Sequence, residues 1–487
     1  MIPTVGRSGR LIFCVSLASL ALLWSCRLPR LCIFDQFSGG QVIIGGPDLS
    51  APDAPFISWP LARVCTETTR WTPGLVFLCD NNSGGIGNIR NFILTCLRYA
   101  IEAGATGITM PTIQTRSPSR LDDLFIGKKL PFSYFFDEEH FRQSLHAACP
   151  QITIYDAPED IPGLDMGNEG EEEGRRGDVR PDMITPNRLG QRGGCDQRDL
   201  NRHADLFGPR LHAWLGEKQE RLSQDPISPS NPKLIRFNWG VQWTFPVYRD
   251  GPEFVATFGG LLRFRADILE LGYKTVAAMN SLAALSASHP TTPEQTEEEE
   301  EEKKEAANNA SSSFIGIHLR TESDALSSWP SFHDQTSAYL ARASTLRSPP
   351  PRFAYLATGN ATEAARLASL ALEEHGLRVL TKHELLAGQK EGEEEESRDL
   401  LERLGALSWD QQALVDFVVL LQAEYFLGVS PSSFSLNVAL KRHLKHDGLY
   451  TRPWRVGVEG GDGRSWLVGR FDGYWDDWLF MYDSLWP

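Results

Sequence analysis

The chain has 487 residues, 41% hydrophobic and 23% charged, with 63 acidic against 48 basic side chains and a formal net charge of -15. That length supports two or three domains with cores of their own. The missing basic stripe argues against nucleic acid as a partner, and eight cysteines without a C-x-x-C pair argue against a zinc ribbon.

The first element is Leu11 to Cys26, a charge-free and mainly apolar run between Arg7 and Arg10 on one side and Arg27 and Arg30 on the other. As a helix it spans roughly 24 Å, short of a typical ~30 Å hydrocarbon core. That fits a signal-anchor for a thin early-secretory membrane or a cleaved signal peptide. The flanking arginines are balanced, and no second hydrophobic span follows. The expected arrangement is type II, with residues 1–10 cytoplasmic, 11–26 in the membrane of the endoplasmic reticulum or Golgi, and a luminal body. Cysteines stop at Cys195, so disulfides are expected in the N-terminal half, with pairings the spacing leaves open. Sequons at Asn81, Asn309 and Asn360 add weak support.

Residues 27–70 read as a stem, extended and rich in Gly and Pro from residue 33 on. Leu75 to Cys79 is a short apolar strand that ends at Asp80-Asn81-Asn82-Ser83-Gly84-Gly85-Ile86-Gly87-Asn88. A helix follows over Ile89 to Ala103, with Ile89, Phe92, Ile93, Cys96, Leu97 and Ala100 on one face. Gly104 closes it, and Thr106 to Met110 and Gln151 to Tyr155 are further strands. This is a βαβ unit. Residues 157–200, with acidic Glu171 to Glu173, read as a long surface insertion. Leu234 to Trp239 is a strand and Phe254 to Met279 is helical in composition. The N-terminal domain is thus drawn over 71–284. An acidic linker, 285–313, contains Pro290, Pro293 and the run Glu297 to Glu302.

A second domain, 314–487, repeats the pattern. Strands are expected at Phe314–Leu319, Phe353–Ala357, Leu377–Leu380 and Tyr425–Val429. Helices are expected at His333–Ala343, Ala361–His375, Gln411–Glu424 and after Ser435, with an acidic insertion at 388–398. The tail is aromatic, from Trp466 to Trp486, and is expected to pack back onto the body. Alternating strands and helices in two blocks predict an α/β protein of two Rossmann-like domains facing a central cleft.

Three segments could carry chemistry. His318 and Arg320 lie at the carboxyl end of a strand, where ligands of open α/β sheets bind. They leave one face of it, and Arg320 can fork onto phosphate oxygens. A surface salt-bridge cluster with Glu322 and Asp324 explains the pattern equally well. The loop Gly84-Gly85-Ile86-Gly87-Asn88 lets backbone approach a ligand at a helix N-terminus, or merely makes a tight turn. It is neither a G-x-G-x-x-G nor a P-loop, which disfavours a dehydrogenase or an NTPase. Ser432-Ser433-Phe434-Ser435 sits between a strand and a helix, where it can bind phosphate or simply cap the helix. Asp416, on the preceding helix, could accept hydrogen bonds from a base or ribose, or face solvent. No Asp-x-Asp triplet occurs, which favours charge neutralisation by Arg320 and helix dipoles over a metal.

Together these segments resemble the protein O-fucosyltransferase family. The likeness lies in Gly84 to Asn88, in His318-Leu319-Arg320-Thr321-Glu322-Ser323-Asp324, and in Asp416 followed by Phe426-Leu427-Gly428 and Ser432-Ser433-Phe434. The resemblance implies a GT-B fold and inverting transfer of fucose from GDP-fucose to a protein or glycan hydroxyl, with no cofactor and no metal. It implies Arg320 on the β-phosphate, His318 on the nucleotide-sugar and Asp416 on guanine. Ser432, Ser433 and Phe434 would hold phosphate and base, Gly85 and Gly87 would contact the nucleotide-sugar, and Asn88 would line the sugar or acceptor side. Some members carry Arg where this chain has Gly85, and others an acid in the glycine loop, which this loop lacks. Asp80, Glu322 and Asp324 are then the acids left as general base. The alternative is a catalytically inactive luminal binding protein of the same fold.

Overall fold

The computed structural model describes residues 47–117, 119–124, 126–164, 181–184, 207–222, 224–287, 314–388, 394–445 and 463–487. Residues 1–10, the apolar run 11–26, Cys32, Cys195, Asn309, Glu171 to Glu173 and Glu297 to Glu302 lie outside them. So do most of the 157–200 insertion and the 285–313 linker. No helix among the described residues is long and apolar enough to cross a membrane.

The chain enters through helix α1 (Trp59–Glu67), whose Leu61, Val64 and Cys65 are buried. This corrects the stem reading. Pro60 suits a first helical turn, and the apolar residues below it face the body. Strand β1 (Thr72–Leu78) leads into α2 (Ile86–Glu102), β2 (Ala105–Thr109), the short antiparallel pair β3 (Ile113–Gln114) and β4 (Lys129–Leu130), α3 (Glu138–Ala148) and β5 (Thr153–Tyr155). Then come β6 (Asp182–Ile184), α4 (Phe207–Leu222) and β7 (Lys233–Phe237). The first sheet runs β5-β2-β1-β7-β6, all parallel. Strand β6 lies inside the segment read as a surface insertion; its three residues extend the sheet beside β7, a signal too short for periodicity to register.

Helix α2 is buried nearly all round, polar Asn91, Thr95 and Arg98 included. Two disulfides tie this half together, Cys65–Cys149 between α1 and the end of α3, and Cys79–Cys96 between the end of β1 and α2. The helix expected over 254–279 is broken. Gly259-Gly260 separates α5 (Pro252–Phe258) from α6 (Ala266–Ala287). Helix α6 lies before the drawn boundary at 284, yet packs on the second half of the molecule, as its partners below show.

The second half contains β8 (Ile315–His318), α7 (Phe332–Ala343), β9 (Phe353–Ala357), α8 (Ala361–His375), β10 (Arg378–Leu380), α9 (Lys382–Leu386), α10 (Glu394–Ala406), α11 (Trp409–Gln422), β11 (Tyr425–Val429), α12 (Ser433–His443) and β12 (Ser465–Val468). Its parallel sheet runs β10-β9-β8-β11-β12. Both faces are covered, so β8, β9 and β11 read as unbroken apolar runs. Helix α6 packs along α11, and its Glu270 and Lys274 pair with Arg403 and Glu396 of α10. Part of the acidic insertion, from Glu394 on, is thereby helical.

After β12 the aromatic tail turns back to the first half, ending in α13 (Phe480–Ser484) and Trp486. Trp486 is buried among Phe245, Phe254 and Phe258, and its indole N–H donates to Thr95 Oγ1 on α2 at 3.1 Å. The two sheets and these crossings belong to one unit over residues 48–487.

Candidate functional site

In the second sheet β8 lies beside β11, while the chain from β8 continues to β9 on its other side. Connections leave in opposite directions there and open a crevice outside the carboxyl ends. His318 to Arg320 leave β8 into it, and Ser430 to Phe434 leave β11 into it. The first sheet repeats the device between β1 and β7, supplying Gly84, Gly85, Ile86, Asn88 and Trp239. Both sets line one cleft of about 790 Å³.

Arg320 is held from every side. Its backbone N–H donates to Gln335 Oε1 at 3.0 Å, and Gln335 Nε2 returns a bond to Arg320 O at 2.8 Å. Gln335 is fully buried on α7, and Tyr339 below it donates to His318 O. The Arg320 guanidinium meets Glu322 Oε2 at 2.5 Å and Asp324 Oδ1 at 2.6 Å. Asp324 also takes Arg116 Nη2 at 2.5 Å. Glu322 accepts the Gly359 N–H at 2.7 Å. Burial alone would raise both carboxyls, but it is outweighed. Arg320, His318 and the Gly359 N–H hold Glu322 below its usual range, and Arg320 and Arg116 do so for Asp324. Two arginines and two carboxylates sum to no formal charge. Anion binding here therefore rests on the remaining guanidinium N–H donors and on helix ends.

His318 is 7% exposed. Burial pushes its imidazole down to about 4, so it is neutral at physiological pH and supplies no second cation to a diphosphate. Its Nδ1 lies 2.7 Å from Ser435 Oγ, which itself accepts the Val429 N–H. The ring packs on Phe434 at 4.5 Å between centroids. Ser432 caps α12, its side chain accepting from Ser435 N. Ser433, the first residue of α12, lines the cleft beside it.

Gly85 and Asn88 line the cleft, Gly85 as the cap of α2 with open space around its Cα. Gly87 does not line it. A Cβ there would stand 2.6 Å from the carbonyl oxygen of Ser433, so Gly87 is a packing glycine that lets the N-termini of α2 and α12 abut. This corrects its expected place among donor contacts. Arg90 clamps the same junction through Asn437 Oδ1 at 2.8 Å.

Asp416 is buried on α11, not solvated. It pairs with Lys382 Nζ at 2.9 and 3.1 Å and accepts the Tyr355 hydroxyl at 2.5 Å. A carboxylate offers about four acceptor positions, so one remains for a ligand. Of the acids expected as bases, Asp80 is held bidentate by Arg236 at 2.8 and 2.6 Å, and Glu322 and Asp324 by the arginines above. The arginines that hold the Glu322 and Asp324 carboxyls below their usual range make both poor proton acceptors, and Asp80 is not among the residues that line the cleft. The sequon at Asn81 is spent on the fold: its amide nitrogen donates to Phe237 O and Ser83 is buried.

Lys382 was within reach of the strand-end rule, being two residues past β10. Arg116 carried no local signal at all.

Two parallel sheets of Rossmann type across one cleft, each contributing its switch point, define a GT-B-like α/β architecture. The chain belongs to the GDP-fucose protein O-fucosyltransferase family, whose model matches residues 75–445. Among solved structures it is similar to POFUT1 in complex with GDP-fucose, at 11% identity, covering 83% of this chain and 100% of that one with a TM-score of 0.38. An arginine-to-lysine mutant of Arabidopsis thaliana FUT1 in complex with GDP is 14% identical, with coverages of 78% and 71% and a TM-score of 0.34. The fucosyltransferase NodZ from Bradyrhizobium is 15% identical, with coverages of 75% and 90% and a TM-score of 0.34. No curated protein matches the chain.

Proposed function

We propose that the protein transfers fucose from GDP-fucose to a hydroxyl acceptor, with inversion and without a metal, in the lumen of the secretory pathway. The observation that carries this reading is Arg320, fixed at the carboxyl end of β8 in the cleft that the N-terminus of α12 also lines. In it Arg320 and the first N–H groups of α12 take the diphosphate, with Ser432 and Ser433 beside it. His318 and Phe434 wall the sugar and base, and Asp416 reads guanine N–H groups with Lys382 next to the base oxygen. Asn88 faces the sugar from the other half.

Inversion requires the acceptor oxygen to attack the anomeric carbon on the face opposite the departing GDP. The transition state carries growing negative charge on the diphosphate, and donors already in place stabilise it more than the ground state. Glu322 and Asp324 act as positioning groups that set the guanidinium plane. Two disulfides favour an oxidising compartment, as does the apolar run 11–26 read as an anchor. The acceptor is a protein Ser/Thr or a glycan hydroxyl.

Calorimetry of the protein with GDP-fucose, GDP and UDP, in the presence of a chelator, tests the donor site. Expected is GDP-selective binding, weakened in Arg320→Ala by about 3 kcal/mol or less, with turnover lowered about 10²-fold or more. A folded protein that binds neither GDP nor GDP-fucose refutes the reading. A protein that binds GDP-fucose and never turns it over is the inactive luminal member instead. The open space at Gly85, where some members of the family carry Arg, is the observation that favours this second reading.

A further inference from the structure

The carboxylates that line the cleft are Glu322, Asp324, Glu384, Asp410 and Asp416, among the described residues. Glu322 and Asp324 belong to the arginine cluster, and Asp416 to Lys382. Glu384 closes a capping box on Thr381 and is exposed. Asp410 differs from all four. It is buried, it forms no ion pair with a lysine or arginine side chain among the described residues, and its Oδ2 accepts one backbone N–H, that of Arg116, at 2.8 Å.

Its position follows from that bond. Asp410 stands in the first turn of α11, against the loop that follows β3. The residue that binds it through the backbone, Arg116, reaches Asp324 through its guanidinium, and Asp324 binds Arg320. One residue, Arg116, therefore links the Asp410 carboxylate to the cation cluster, through its backbone at one end and its guanidinium at the other.

We propose that Asp410 is the general base of the transfer, taking the proton of the attacking hydroxyl in the cleft that Arg320 also lines. The assignment rests on the reading of the cleft as a GDP-fucose site. In the step, the acceptor oxygen forms its bond to the anomeric carbon as the bond from that carbon to the β-phosphate oxygen breaks. The electron pair leaves with GDP, and the proton ends on Asp410. With water as acceptor the same step gives free fucose and GDP.

The surroundings suit the task. Burial pushes the Asp410 carboxyl up to about 6, and Arg116 only partly offsets it. The titratable group facing it from the first half is Tyr134, whose hydroxyl burial and Asp410 both raise, so it stays neutral. A base poised near the working pH combines the right protonation state with proton affinity. The rival role is a clasp between the halves, since Ser408 and Gln411 of the same turn also bond Tyr134.

Asp410→Asn separates the two roles, because the amide oxygen still accepts the Arg116 N–H but cannot take a proton. The test uses the whole protein, GDP-fucose as donor and water as acceptor, with GDP release as readout. Expected in the variant is a kcat lower by about 10²-fold or more, with KM for GDP-fucose and calorimetric affinity for GDP within about twofold of wild type. The wild-type acid limb of kcat/KM, centred near pH 6, is lost in the variant. Turnover within about threefold of wild type overturns the assignment. So does a wild-type protein that binds GDP-fucose but releases no GDP. Should Asp410→Asn fail to fold, the wild-type profile decides: a flat kcat/KM from about pH 5 to about pH 8 overturns the base. Absence of any donor binding by wild type is a different result and refutes the donor site itself.

Discussion

Gly87→Ala probes the junction that joins the two halves at the cleft. The added Cβ would stand 2.6 Å from the carbonyl oxygen of Ser433 and 2.7 Å from its carbon, whereas ordinary contact begins near 3.4 Å. Both atoms are backbone, so no rotamer change relieves the clash, and α2 and α12 must part by about 0.8 Å, the difference between contact and clash. Alanine gains ~1 kcal/mol of helix propensity over glycine. Overpacking costs roughly 1–3 kcal/mol. The net loss of stability is therefore small, about 1 kcal/mol.

The effect on ligand is larger. Moving the N-terminus of α12 by that distance stretches a ~2.9 Å hydrogen bond beyond useful range. A hydrogen bond to a charged group contributes about 1.5–3 kcal/mol, so affinity for GDP is expected to fall roughly 10- to 100-fold. Gly85→Ala is the control. It meets nothing within 4 Å and already has extended backbone, φ -74° and ψ 167°. It is expected to leave affinity within about threefold and to cost under about 1 kcal/mol as a poorer cap. Calorimetry gives the affinities and thermal melts the stability. If Gly87→Ala melts below Gly85→Ala yet binds GDP like wild type, the N-terminus of α12 does not hold the diphosphate. If it neither melts lower nor binds more weakly, the two helices do not abut as described.

Replacing Cys79 and Cys96 together by Ser opens a loop 17 residues long around the glycine segment. The expected loss is about 3 kcal/mol in chemical denaturation; a loss below about 1 kcal/mol contradicts the bond. Trp486→Ala empties a site walled by Phe245, Phe254 and Phe258 and leaves Thr95 without its donor; about 3–5 kcal/mol is expected from denaturation midpoints. Asp410 titrates higher folded than unfolded, so the stability it contributes at low pH is lost as pH rises from about 4 to about 6. Asp410→Asn should gain on wild type across that window by at most about 3 kcal/mol, and a parallel pair of stability curves refutes this. His318 has the opposite sign. Its folded state resists the proton, so stability falls as pH falls from 6.5 towards about 4, and His318→Asn should flatten that slope.

Strands β1, β8, β9 and β11 were legible because they are unbroken apolar runs bounded by polar strand ends. His318, Arg320 and Ser433 were legible for the same reason, since a crevice forms where such strands stop. Arg116, Gln335 and Asp410 were not. Arg116 meets Asp324 across 208 positions of chain, and Gln335 looks from sequence like any polar residue of an amphipathic helix. Glu322 and Asp324 were legible as partners of Arg320 in a salt-bridge cluster, but the second arginine on Asp324, Arg116, was not. Gly87 reads as one more loop glycine until α12, 346 residues away in its first position, is laid against it. The short strand β6 and the helix α1 escaped because one is too brief for a period and the other sits among prolines and glycines.

The chain crosses between its halves more than once. Helix α6 precedes the second sheet yet packs along α11, and Trp486 follows that sheet yet is sealed against α2. Neither half is therefore an interchangeable cassette. A chimera that joined this second half to another first half at the boundary suggested by composition would leave α11 without its covering helix. It would also present Trp486 to a surface shaped for something else. Exchanging acceptor preference in this fold is better attempted through the loops that close over the cleft from the first sheet than by trading halves.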